Sequence, residues 1–424
     1  MPDLAMPAAM WPTPMEFLSI DDEARLRLGA WSERPPQCWR LSSLPVHAPL
    51  LIMRVRSANH SRWFHQHMGI RRDIVRMNSV SFEAVRERVL ATLSFFSMWL
   101  SGCGIALNQP RVALNHEAGR KQYVEAVSRC LLRLRPGGFD VSISSADGIN
   151  WASPAPVFAA TRNAFHSQRS IVLWPGKRGQ DIHGVSNLIS AADANDREWG
   201  AKRNVAFFRG SPTGIVTHER PPHHQTPSRI HVLEEVRGDD LFDAKLSMQS
   251  KGQPSWNMTR VAIQWQMNVP QAEARALALL GGYADLSFQL SHKALVSIEG
   301  NGFATNLAWV LASNSVLVMP HGHKDEPDSA GGYQETISHL GLMPWHHFVP
   351  FSFNLTDVHH NVAWCFTNNV KCHRIAQRGR ALQRRMLNHT RERLLQRLVL
   401  DRVAKWQCRD DFLSESDDLP VKMM

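Results

Sequence analysis

"KALVSIEGNGFATNLAWVLASNSVLVMP", residues 293–320, decides the fold. An apolar run over 294–298 is too short for a helix and stops at a glycine-rich turn, Glu299-Gly300-Asn301-Gly302. Leu307, Val310 and Leu311 then recur at helical spacing, and a second apolar run ends at Pro320. A buried strand, a short helix and a buried strand in that order form a βαβ unit, and strands joined by a crossover must run parallel. The expected class is therefore α/β.

The same alternation extends in both directions. "FDVSISS" (139–145) alternates like a strand, "SIVLWPG" (170–176) is a short strand stopped by a turn, and "VAFFRGSPTG" (205–214) is an apolar strand ended by an arginine. Helices are expected over 80–135, near 191–200, from Ser228 over "SRIHVLEEV", over "VHHNVAWCF" with Thr356 or Asp357 as cap, and from "VKCHRIAQRG" onward. Residues 215–228 read as a long exposed loop. At 424 residues the chain exceeds one ordinary core. The expected organisation is an irregular Pro- and Met-rich lead-in (1–50), one α/β domain (51–190), a second (191–370), and a basic C-terminal helix and tail (371–424).

The net charge of +10 is concentrated. Residues 371–405 hold eleven lysines and arginines against Glu392 and Asp401. Apolar residues at helical spacing (Ile375, Leu382, Met386, Leu394, Leu395, Leu398) make this stretch one long helix with a basic face, simply solvated or binding an anionic membrane surface or a polyanionic substrate. No interleaved aromatics accompany it, so no nucleic-acid partner is expected. The uncharged run 89–107 is just long enough to span a bilayer but carries serines, a threonine and glycines, so a buried helix and a membrane anchor both stay open. The opening residues lack a signal peptide's basic and apolar regions. Cytoplasmic, membrane-associated and lumenal locations are all compatible with the sequence. The six cysteines show no CxxC spacing, which argues against a zinc ribbon or a small disulfide scaffold and leaves the redox compartment open.

In open parallel sheets, ligands sit beyond the carboxyl ends of strands. Three such loops carry chemistry: one offers Asp147, one Arg209 with Ser211 and Thr213, and one Glu299, Gly300 and Asn301. Glycine-rich turns present backbone N–H groups to anions, an arginine adds a fork for phosphate, and a carboxylate across a cleft can serve as base.

The "FRGS-TG" element, the basic strand opened by Lys293 and leading into "GN", then "NLAWVLASNSVLVMP" and "PWHHFVPF", in that order, resemble glycosyltransferase family 90 over about residues 137–379. This group includes lipopolysaccharide-modifying and capsule-associated enzymes and the protein O-glucosyltransferases. The resemblance implies a GT-B fold, with two Rossmann-like domains facing across a cleft and the C-terminal one holding the nucleotide-sugar. It implies inverting transfer of glucose or xylose from UDP to a hydroxyl of a glycan, glycolipid or protein. Asp147 matches the family's base; Arg209, Gly210 and Ser211 match the residues near the donor; Gly300, Asn301, Thr305 and Asn306 match the nucleotide contacts. Thr213, Lys293 and Glu299 complete the expected donor side. Where many members carry an arginine, this chain has Asn306. No DxD motif occurs, so neither a metal nor a cofactor beyond the donor is expected, and the His-x-His and His-His pairs are read as structural or solvated. The alternative is a catalytically impaired relative that binds nucleotide-sugars or glycans.

Overall fold

A computed structural model of the chain describes residues 19–29, 50–55, 62–66, 139–144, 156–159, 161–163, 171–173, 182–213, 227–247, 256–300, 303–321 and 334–405. The described residues form two compact units. The first holds helix α1 (Ile20–Leu28), strands β1 (Leu50–Val55), β2 (Arg62–Gln66), β3 (Phe139–Ser144), β4 (Val157–Ala159) and β5 (Ile171–Leu173), and the C-terminal helix (His389–Lys405). Its sheet order is β2-β1-β3-β4-β5. β1 pairs antiparallel with both β2 and β3, while β3, β4 and β5 run parallel. The sheet is thus mixed, with its parallel part on the β3–β5 side.

Charge holds α1 to the C-terminal helix. Ser19 caps α1 by accepting from the Asp22 N–H, and Asp21, Asp22 and Glu23 place carboxylates at its positive end. Arg27 is fully buried and donates to both Glu392 oxygens at 2.7 and 2.6 Å and to Glu23 at 2.9 Å. Burial alone would lower its pKa, but Glu392 and then Glu23 outweigh that and hold it above the ordinary arginine value. Arg391 reaches Glu23 at 2.8 Å, Arg402 pairs with Asp21, and Arg397 approaches Asp401 at 3.8 Å. Much of this helix's positive charge is therefore spent on α1 and on itself.

The second unit is built from Val185–Asn388. Helix α2 (Ile182–Asn195) leads into strand β6 (Arg203–Gly210), followed by α3 (Arg229–Glu235), β7 (Phe242–Leu246), α4 (Met258–Gln264), α5 (Val269–Ala278), α6 (Leu286–Leu290), β8 (His292–Val296), α7 (Leu307–Ala312), β9 (Val316–Pro320), β10 (Val349–Phe351), α8 (Val358–Thr367) and α9 (Asn369–Arg384). All five strands are parallel, in the order β7-β6-β8-β9-β10. The βαβ unit expected over 293–320 is present as β8, α7 and β9.

Alternation along these strands feeds two cores. Phe208, Val296 and Val318 point to one face, against Val362 and Ile375. Phe207, Leu295 and Leu317 point to the other, against Leu290, Val310 and Leu311. Every residue of β8 and β9 is buried, as a sheet covered on both sides requires. Each fully buried Val, Leu or Phe contributes roughly 1.5–3 kcal/mol.

Two readings of the sequence change. The helix expected near 191–200 runs from Ile182 to Asn195, because Leu188, Ile189 and Ala192 continue its apolar stripe from upstream. The single long basic helix is two: α9 ends in a 3-10 turn (Arg385–Leu387), and Asn388 at ψ 89° leaves helical geometry before the C-terminal helix begins in the other unit. Cys365 and Cys372, seven residues apart with no spacing motif, form a disulfide between α8 and α9, their Cα atoms 5.1 Å apart. No helix among the described residues is long and apolar enough to cross a membrane, and the run 89–107 lies outside them.

Candidate functional site

In chain order the second unit's strands are arranged 2-1-3-4-5, so the connections leave in opposite directions on either side of the gap between β6 and β8. Ligands in doubly wound sheets bind at that switch point, beyond the carboxyl ends of the two strands. Two glycine-bearing segments meet there: Gly210-Ser211-Pro212-Thr213 after β6, and Ser297 to Gly300 after β8.

A third element supplies the cation. Ser228 caps α3 by accepting from the His231 N–H, and Arg229 is the first helical residue. Its Nη1 donates to the Ser211 carbonyl at 2.9 Å, the Ser211 Oγ at 3.1 Å and the Thr213 Oγ1 at 2.8 Å. Its Nε donates to the Ile298 carbonyl at 3.2 Å, and the guanidinium lies 5.8 Å from the Phe208 ring centre. One side chain thus ties together the ends of β6 and β8. Burial pulls its pKa from 12.5 down to about 10, with the Glu299 charge opposing the shift. It is still protonated at neutral pH, but poorly solvated. Arg229 forms no ion pair among the described residues, so a group able to accept from a fork of N–H donors would be welcome there.

Gly300 makes this close approach possible. A Cβ on it would lie 2.3 Å from Thr213 Oγ1 and 3.2 Å from both Cζ and Nη2 of Arg229. Gly210 is equally restricted, since a Cβ there would fall 2.6 Å from the Phe208 ring. Asn306 fastens the following loop: its Oδ1 accepts from Ser297 Oγ at 2.8 Å and its Nδ2 donates to the Val296 carbonyl at 3.0 Å.

Of the residues singled out in the sequence, Gly210, Ser211, Thr213, Glu299 and Gly300 stand at the switch point. Thr305 is exposed at the approach to α7, and Asn306 is turned to the end of β8. Arg209 points to the sheet face opposite Arg229. There it pairs with Asp243 at 2.8 Å, donates to the Phe208 and Asp243 carbonyls at 2.9 and 2.8 Å, and lies 4.6 Å from the Phe207 ring centre. Lys293 is near the start of β8, at the far end of the sheet. It donates to Asn369 Oδ1 at 2.9 Å and lies 5.4 Å from the Trp199 ring centre. Asp147 and Asn301 lie outside the described residues. Among the described residues, no three His, Cys, Asp or Glu side chains come together in a way that could hold a metal ion.

Sequence reasoning missed Arg229. A signal was present: an arginine in the first turn of a helix stands where the backbone dipole favours acids, so something other than helix stability keeps it there.

A doubly wound unit with an arginine held at its switch point belongs to the class of folds that bind phosphorylated ligands at strand ends. The chain is a member of glycosyl transferase family 90, whose model matches residues 170–392, more than half of its length. It is 27% identical over 184 residues to protein O-glucosyltransferase 3 of Homo sapiens, covering 43% of this chain and 34% of that protein. The Rattus norvegicus protein of the same name is 28% identical over 192 residues, with 43% and 35% covered. Protein 027R of Frog virus 3 is 25% identical over 190 residues, with 43% and 18% covered. The matches thus span about a third or less of these relatives' length.

Proposed function

We propose that the protein is an inverting glycosyltransferase moving a sugar of glucose or xylose type from a UDP-sugar to a hydroxyl of a glycan, glycolipid or protein. Family membership and the likeness to two protein O-glucosyltransferases support the reaction class. The observation that carries the reading is Arg229, held by Ser211, Thr213 and the end of β8 at the switch point. A diphosphate there would replace the solvation that burial has taken from the guanidinium.

In this reading a base removes the acceptor's proton as its oxygen attacks the anomeric carbon, and the bond to the diphosphate breaks with inversion. Negative charge grows on the departing UDP, and Arg229 with the Ser211 and Thr213 hydroxyls stabilises it. Asp147, just past the end of β3, is assigned the base, as the family resemblance implies. The GT-B arrangement is part of the same proposal, supported by two sheet-bearing units of which the second carries the phosphate-side chemistry.

The test is turnover of UDP-glucose and UDP-xylose, with hydrolysis read as released UDP. Wild type is expected to turn over at least one donor, and Asp147→Asn to lose a factor of about 100 or more. UDP binding without turnover of either sugar would favour a nucleotide-sugar-binding relative instead. Full activity in Asp147→Asn would reassign the base.

A further inference from the structure

Charge pairing in the second unit is uneven. Arg209 pairs with Asp243, Arg275 with Glu234 at 2.5 Å, and Arg380 and Arg384 share Asp193. At the amino-terminal ends of the strands, opposite the proposed donor site, the cations stand differently. Arg197 precedes β6, Arg203 opens it, and Lys371 and Arg374 project from the first turns of α9. All four are exposed, and none has an ion-pair partner among the described residues. Asp196, the nearby buried acid, is spent on Lys202; Glu198 is exposed beside them, and Asp240 is exposed just ahead of β7, so the four cations outnumber the exposed carboxylates at this end.

These positions share one end of the fold. Arg203 is in register with His292, next to Lys293. Lys293 donates to Asn369 at the start of α9, and Trp199 stacks on His373 at 4.9 Å while its Nε1 donates to Asn369 at 2.9 Å. The strand starts, the Trp199 turn and the first turns of α9 are thereby locked into one cationic surface. In the first turn of α9, beside Lys371, sits Val370, 64% exposed. The first turn of a helix favours carboxylates, yet α9 has none there and places a lysine instead. Helix stability therefore does not account for these charges.

We infer that this face is an interaction surface for an anionic lipid bilayer, with Arg197, Arg203, Lys371 and Arg374 against the headgroups and Val370 entering the interface. Lipid is favoured over a soluble polyanion by Val370, since an exposed valine among cations suits the headgroup boundary and adds nothing to binding a phosphate chain in water. Such docking leaves the carboxyl ends of the strands facing away from the lipid.

The experiment is co-sedimentation of the full chain with vesicles of phosphatidylcholine alone and with about one-third phosphatidylserine, at roughly 0.1 and 0.5 M salt. Binding is expected to the anionic vesicles alone and to be lost at the higher salt. The triple variant Arg203→Gln, Lys371→Gln, Arg374→Gln should lower partitioning about a hundredfold, near fivefold per cation. The charge-conserving triple Arg203→Lys, Lys371→Arg, Arg374→Lys should bind as wild type, and both should keep the wild-type melting temperature and UDP affinity. Equal binding to neutral vesicles, no vesicle binding by wild type, or wild-type partitioning by the glutamine triple would each overturn the proposal. So would retention on polyphosphate that depends on these residues without any vesicle binding. Donor turnover is read separately, so loss of either result leaves the other intact.

Discussion

Arg209 and Arg229 show how two arginines twenty positions apart take different work from their surroundings. Arg209 is the one the sequence advertises, since it interrupts an apolar strand just before a tight turn. Its guanidinium is nevertheless met by a carboxylate, three carbonyls and an aromatic face, so its hydrogen-bonding capacity goes chiefly to fastening β6 to β7. Arg229 meets hydroxyls and carbonyls but no ion-pair partner among the described residues. Different phenotypes are expected. Arg209→Met leaves Asp243 only its longer contact with Lys245, at 3.7 Å, and should cost about 2 kcal/mol of stability by denaturant unfolding, with UDP affinity unchanged. Arg229→Met should weaken UDP binding by more than tenfold in calorimetry, and it should also lower the unfolding midpoint, since the Ser211 and Ile298 carbonyls and the Thr213 hydroxyl lose their donor. Gly300→Ala probes the same site sterically: the new Cβ forces Thr213 Oγ1 away and loosens its contact with Arg229. About a tenfold loss of UDP affinity is expected, and retention of full affinity would show that the two loops need not approach so closely.

Helix α9 is held by one covalent and one steric device, a disulfide to α8 and a close approach to α7 and the His347 backbone. The Cys365–Cys372 disulfide closes a loop of about eight residues, and restricting the unfolded chain to that extent is worth roughly 2 kcal/mol. Cys365→Ala with Cys372→Ala should lower stability by about that much, and a thiol reductant should reproduce the loss in wild type but not in the double variant. Further along α9, a Cβ on Gly379 would lie 2.7 Å from the His347 carbonyl oxygen and 3.2 Å from Leu311. A backbone oxygen cannot rotate aside, so Gly379→Ala should cost roughly 1–3 kcal/mol through overpacking, seen as a lower melting temperature. These elements were legible in the sequence because their periodicity is local: β8, α7 and β9 fall where the apolar pattern put them. The break between α9 and the C-terminal helix was not, because the apolar spacing runs through it. Only the destinations of the two segments, one with β9 and one with α1, separate them.

Across the whole molecule, stability is expected to depend on buried histidines. Burial, opposed by Glu335, lowers His339 to about 4. Burial, reinforced by His346, Arg385 and Arg378, lowers His347 to about 3. Both pKa values lie below the unfolded value near 6.5, so the unfolded chain binds protons first as pH falls. Their contribution is complete above about pH 6.5 and drains away as pH drops toward 4 and then 3. A melting temperature that declines over this range in wild type, with a shallower decline in His347→Gln, is the expected result. A flat profile would mean that neither ring is held neutral. The sequence reads the paired histidines as structural or solvated, and it does not show which of them are buried. By itself the sequence determined the α/β class, the parallel βαβ unit, the glycine turns at two strand ends and the family, because each is written in residues close along the chain. Tertiary structure alone decided which arginine reaches the switch point, which cations lack an ion-pair partner among the described residues and which helix joins which unit. Those choices depend on side chains from distant segments competing for the same carboxylates and carbonyls, and a chain read in order does not show who wins.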